Sequence, residues 1–259
     1  CHARSRVVIW NAMTSPDNSP QPDFHEQPEP PVREPVFNLP GVIVLVIAVM
    51  AGIEALRSYV ISHEVDTWPL LQAAFIPARY NGPVDGSWFW SPVTYSLLHG
   101  GWMHLILNSV WLAAFGAVVA RRIGTLRFIL FWIASSVASS VFFGLLHVGE
   151  VVVMVGASGV ISALMGAAIR FAFSERGGFI SKYSHLNPRL TLSQTLANRS
   201  ALTFLVIWFG INLLAGFGVA PGADEVAIAW EAHVGGFLFG FFCFDYFDPY
   251  PENGARPRA

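Results

Sequence analysis

The chain is poor in charge. Asp, Glu, Lys and Arg together make up 12% of its 259 residues, against about 25% in an ordinary soluble domain. The 15 basic and 17 acidic residues would coat a soluble globule of this length thinly, whereas a protein in a bilayer needs no such coat. The formal net charge of -2 supplies no global basic field, and no basic patch is interleaved with aromatics, so a nucleic-acid partner is excluded. Cysteine is nearly absent. Cys1 and Cys243 form neither a disulfide framework nor a CxxC pair for zinc or redox chemistry. No HExxH motif accompanies the histidines, so a metal site built on His99, His104 and His233 ranks low.

What the chain has is apolar length. Hydrophobic residues reach 54%, gathered in six runs: Val42–Ile61, Trp102–Ala120, Phe128–Leu146, Val151–Phe173, Ala201–Ala220 and Trp230–Phe247. Each is near the roughly 20 residues that span a hydrocarbon core as a helix. The expectation is an all-α integral membrane protein with six transmembrane helices over residues 41–248. Residues 1–40 form a tail with Pro16, Pro20, Pro22, Pro28, Pro30, Pro31, Pro35 and Pro40 among acids and amides. That composition predicts disorder. The chain opens on Cys1, which makes residues 1–12 a candidate extension upstream of Met13, and no signal peptide is expected ahead of the tail. Residues 249–259 form a short carboxyl tail.

Thirteen of the basic residues fall on one side of such a bundle: Arg4, Arg6, Arg33, Arg121, Arg122, Arg127, Arg170, Arg176, Lys182, Arg189, Arg199, Arg256 and Arg258. The positive-inside rule makes that side, and both termini, cytoplasmic. The first outer connection, residues 62–101, carries Trp68, Phe75, Trp88, Phe89 and Trp90, the residue types of a membrane–water boundary. It reads as a partly embedded interfacial loop; a small outer cap with its own core is the alternative. No internal repeat supports a duplicated transporter.

Polar side chains inside such spans are costly and face a cavity or a partner. His104 and Asn108 lie near the start of the second run, Ser158 in the outer part of the fourth and His233 near the start of the sixth, all at the outer end. Counted as helix from Glu150, Ser158 lies roughly 10 Å below the outer loop. His104 and Asn108 share a helix face. Ser158 sits between Gly156 and Gly159 at a helix start, where backbone N–H groups are free. The ridges Ser158–Ser162–Gly166 and His233–Gly236–Gly240 carry small residues at the spacing of close membrane packing. Pressed together they would bring the Ser158 hydroxyl to the His233 imidazole, a nucleophile beside its base.

Gly156-Ala157-Ser158-Gly159 with Val160-Ile161-Ser162-Ala163-Leu164-Met165-Gly166, Ala232-His233-Val234-Gly235-Gly236 with Gly240, and His99-Gly100-Gly101-Trp102-Met103-His104-Leu105-Ile106-Leu107-Asn108 resemble the three signatures of the rhomboid intramembrane serine proteases. The resemblance covers about residues 41–248 and is to the basic six-helix bacterial form. It implies a rhomboid-like bundle in the cell (inner) membrane whose active site opens outward and whose substrates are single-pass or polytopic membrane proteins. No metal or organic cofactor is implied.

It also implies Ser158 as nucleophile, His233 as general base and acid, and His104, Asn108 and the Ser158 N–H as oxyanion stabilisers. His99 is either a loop histidine with its own hydrogen bond or a support for His104. Two positions depart from the pattern. Ser162 stands where many relatives place an aromatic ring beneath the catalytic histidine, so another group must orient His233. Trp90 is followed by Ser91 rather than arginine, so the loop network that arginine anchors must be rebuilt. Glu231, two residues before His233, points to another face and is a poor third triad member. A catalytically inactive relative that binds membrane clients and a small polar-cavity channel or transporter are the rival readings.

Overall fold

The computed structural model describes residues 39–173, 184–216 and 229–250. The tail expected over 1–40 lies outside them except for Leu39 and Pro40, as does the carboxyl tail beyond Tyr250. Among the described residues the protein is helical: α1 Gly41–Tyr59, α2 His63–Ala73, α3 Ser87–Thr94, α4 Trp102–Trp111, α5 Ala117–Leu146, α6 Ser158–Ala172, α7 Leu192–Ala197, α8 Arg199–Gly216 and α9 Trp230–Cys243. The β-pairing among them is one isolated antiparallel bridge, Phe75 to Met154.

Two stretches, Gly41–Tyr59 and Trp102–Leu146, are long and apolar enough to cross a membrane. The second is interrupted. α4 passes through a π-helical turn, Leu112–Gly116, into α5, and the helix breaks at Gly124, whose φ of 77° and ψ of 168° are non-helical. The runs expected over 102–120 and 128–146 are the two sides of that break.

α6 is apolar or small all round, the pattern of a helix with no solvent face. Every residue from Gly159 to Ala172 is buried, so α6 is the central rod. It packs most extensively on α9, where Gly236 and Gly240 bring backbone against backbone. A Cβ on Gly236 would strike the Gly159 carbonyl, and one on Gly240 the Ala163 carbonyl. The expected facing ridge Ser158–Ser162–Gly166 is thereby corrected by one position. α9 lies against Gly159 and Ala163, with Gly166 meeting Phe237 and Phe241, while Ser162 Oγ turns back to donate to the Ser158 carbonyl at 2.8 Å. On α5, Ser135, Ser136, Ser139 and Ser140 are fully buried, and Ser139 Oγ lies beside both Gly159 and Gly236.

The outward faces are apolar. Leu45 on α1, Val110 on α4, Leu130 on α5 and Val206 on α8 are each at least half exposed. Apolar area spread over several helix faces suits hydrocarbon rather than water.

At the end of the bundle away from Ser158, arginines are tied into the structure. Arg122 makes a bidentate pair with Asp248 (3.0 and 2.9 Å) and donates to the carbonyls of His185 and Asn187. Arg189 pairs with both Asp248 and Asp245, and Arg170, at the foot of α6, donates to the Leu190 and Phe241 carbonyls. Three of the basic residues counted for orientation thus also close the bundle.

Candidate active site

Residues 151–157 are not helical, which corrects the helix expected from Val151. The β-branched run Val151-Val152-Val153 favours extended backbone. Met154 pairs with Phe75 in both directions, N–H to O at 3.1 and 2.9 Å. Gly156 then takes a φ of 122° and donates its N–H to the Tyr95 carbonyl at 3.0 Å. Ser158 follows as the first residue of α6. Ser158 is therefore reached through a non-helical strap, not through two turns of helix.

α9 supplies the partner. His233 lies in the first turn after Trp230, and its Nε2 is 2.8 Å from Ser158 Oγ. Both side chains are part-exposed. Because Ser158 opens α6, its backbone N–H is among those with no partner inside the helix.

His104, near the start of α4, is held from behind: the Gly100 N–H donates to its Nδ1 at 3.3 Å. An imidazole accepting at Nδ1 carries its proton at Nε2, and that edge lies over Gly156, where a Cβ would stand 2.9 Å from Nε2. Gly156 is thus required twice, by its φ and by the ring above it. Asn108 is buried one turn further along α4, and its Nδ2 donates to the His104 carbonyl at 3.0 Å. The amide has a second N–H. A hydrogen bond joins Ser158 to His233, and the His104 ring lies over Gly156 without one; no hydrogen bond among the described residues joins Asn108 to Ser158.

His99 is buried, with its ring edge-on to His104 at 5.1 Å between centroids. The His99 carbonyl accepts from Arg57 at 2.8 Å, and Arg57 also forms a bidentate pair with Asp66, both contacts at 3.0 Å. One guanidinium therefore ties α1, α2 and the turn that presents His104.

The two departures are resolved by residues the pattern did not single out. His233 Nδ1 lies 2.6 Å from Asn212 Oδ1 on α8. The signal available was an amide within an otherwise apolar run. In the outer loop, Arg79 donates to the Leu71 and Ala74 carbonyls, Ser91 shares a hydrogen bond with the Tyr80 hydroxyl, and Trp90 Nε1 donates to the Gln72 carbonyl. Glu231 turns away from the pair, to His147 Nε2 at 3.3 Å, as its position two residues before His233 implies.

Fold and site together define a class: a helical protein, apolar on its outward faces, with a serine–histidine pair set at the heads of two tightly packed helices. A Rhomboid domain family model matches residues 87–247, and the chain belongs to the rhomboid family, a family of membrane proteins. It is 27% identical over 179 residues to RHOMBOID-like protein 4 of Arabidopsis thaliana, covering 67% of this chain and 39% of that protein. It is 30% identical over 158 residues to Rhomboid protease GluP of Bacillus subtilis (61% and 26% covered). To YdcA of the same organism it is 32% identical over 168 residues (63% and 72% covered). The chain spans about two fifths of the length of the first plant relative.

Proposed function

We propose that this protein is an intramembrane serine endopeptidase that hydrolyses peptide bonds in or near the outer ends of substrate transmembrane helices through a Ser158–His233 dyad. The observation that carries the reading is the 2.8 Å contact between Ser158 Oγ and His233 Nε2 at the start of a helix with no solvent face. Family membership and the similarity to Rhomboid protease GluP support it.

In the first half-reaction His233 Nε2 takes the Ser158 hydroxyl proton as Oγ attacks the scissile carbonyl carbon. The oxyanion forms against the Ser158 N–H, His104 Nε2–H and the second N–H of Asn108. The imidazolium then passes its proton to the leaving amine as the C–N bond breaks, leaving an acyl-Ser158. In the second half-reaction His233 takes a proton from water. The hydroxide adds to the acyl carbon, and Ser158 departs with its proton restored. The N-termini of α4, α6 and α9 bias the locus toward negative charge.

The bundle is a six-span membrane domain over residues 41–248, with residues 62–101 as an interfacial loop. Support for the loop comes from Trp68 and Phe89, which are 71% and 77% exposed although large and apolar. The active site opens to the outer side and the basic end faces the cytoplasm. Substrates are other membrane proteins.

Ser158→Ala and His233→Ala are each expected to abolish cleavage of a model transmembrane substrate in reconstituted vesicles, and the double variant to be no worse than either single one. A fluorophosphonate should label the wild type and not Ser158→Ala. Cleavage persisting in Ser158→Ala would overturn the assignment. For orientation, a cysteine placed near Asp85 should react with an impermeant thiol reagent on intact cells and one near Lys182 should not; the reverse pattern would invert the topology.

A further inference from the structure

Asn212 bonds to His233 through the ring nitrogen that does not face Ser158. Its side chain has one acceptor and one donor group, and both are engaged: Nδ2 donates to the Trp208 carbonyl at 2.8 Å, which leaves Oδ1 to face His233 Nδ1 at 2.6 Å. An amide oxygen can only accept, so Nδ1 must carry the proton. With the proton at Nδ1, Nε2 presents its lone pair to the Ser158 hydroxyl, as a general base requires. The opposite tautomer would set an Nδ1 lone pair against the Oδ1 lone pairs and an N–H against Oγ.

The amide is itself held. It is 8% exposed. Four residues earlier on α8, Trp208 stacks on Phe237 of α9 at 4.9 Å between centroids, and Phe209 meets the same ring edge-on at 5.3 Å. These contacts dock the stretch of α8 that carries Asn212 onto the helix that carries His233. Ser162, at the position where an aromatic ring could lie under the imidazole, instead bonds back to the Ser158 carbonyl.

We propose that Asn212 is the positioning residue of this active site, fixing His233 as the Nδ1-protonated tautomer with Nε2 aimed at Ser158. The inference rests on the Ser158–His233 reading above. α8 thereby takes part in the chemistry through one hydrogen bond, although it supplies no group that touches substrate.

The test compares Asn212→Leu, which removes the acceptor at similar volume, with Asn212→Asp, whose carboxyl keeps an oxygen facing Nδ1 whether ionised or protonated. Cleavage of one model transmembrane substrate is measured in vesicles, with thermal midpoints in detergent and histidine 15N shifts assigned against His233→Ala. Asn212→Leu should lower kcat roughly 10- to 100-fold, the scale seen when a group that holds a functional imidazole is removed, with KM within about twofold. Asn212→Asp should recover most of that loss, and the His233 signals should show Nδ1 protonated in the wild type and a tautomer mixture in Asn212→Leu.

Wild-type kcat in Asn212→Leu would overturn the proposal. So would equal losses in the Leu and Asp variants that follow a common fall in thermal midpoint, or a wild-type His233 protonated at Nε2. Cleavage that survives Ser158→Ala would instead remove the dyad reading itself, so the two failures are distinguishable.

Discussion

At the scale of single residues, the candidate site divides into groups that would move protons and groups that would hold charge, and the two should fail differently. In the proposed mechanism Asn108 is one donor among several, and its Nδ2 bond to the His104 carbonyl leaves one N–H for substrate. Asn108→Ala should therefore keep measurable cleavage while losing about 10²–10³ in kcat, the typical effect of removing one oxyanion donor. A fully active Asn108→Ala would withdraw that role. Gly156 carries a different constraint. Its φ of 122° and the His104 ring that would lie 2.8 Å from a Cβ make even alanine a double burden at the residue that turns the chain into Ser158.

At the scale of elements, the decisive packing is that of α6 on α9, because each carries one member of the proposed dyad. Where Gly240 meets Ala163 the obstacle to a side chain is backbone, which cannot rotate away as a rotamer can. Gly240→Val should destabilise beyond the usual overpacking cost of about 1–3 kcal/mol and lower activity as the helices separate. Gly52→Ala on α1, where nothing stands within 4 Å of the new Cβ, is the matched control. Thermal midpoints in detergent decide it: equal values for the two variants would mean that the α6–α9 approach is not tight.

At the scale of the whole molecule, polar ties close both ends of the bundle around an apolar middle. The end away from the dyad is closed by Arg122, Arg170 and Arg189 with Asp245 and Asp248. At the end that carries Ser158 and His233, His147, just past α5, lies with Nδ1 2.8 Å from Glu150 and Nε2 3.3 Å from Glu231 of α9. The hydrogen bond to Glu150, with help from Glu231, raises His147 above the ordinary 6.5. A histidine whose folded value is raised contributes stability in full below its unfolded value and loses it as pH rises through the folded one. The thermal midpoint of the wild type should thus fall relative to His147→Ala as pH rises from below 6.5 through the raised value. A constant difference across that range would show that the contact adds nothing pH-dependent.

Much of this was legible in the residues alone, for reasons that particular elements make clear. A charge-poor chain with long apolar runs can only be helical in hydrocarbon, and the histidines, asparagine and serine inside those runs stand out because hydrocarbon penalises them. Ser158, His233 and His104 were singled out that way, the structure brings the first two into contact, and glycine spacing pointed to α6 and α9 as neighbours. Tertiary structure alone decided three things. Residues 151–157 form a non-helical strap rather than a turn of helix, because an apolar run continuous with a helix reads as part of it until Phe75 pairs with Met154. The face of α6 that meets α9 is that of Gly159 and Ala163, because a helix buried on all sides carries little periodic contrast to mark which face meets which neighbour. Asn212 reaches His233 from 21 residues away, because a partner held by a side-chain hydrogen bond between helices leaves no spacing in the chain, only a contact that forms once the bundle has closed.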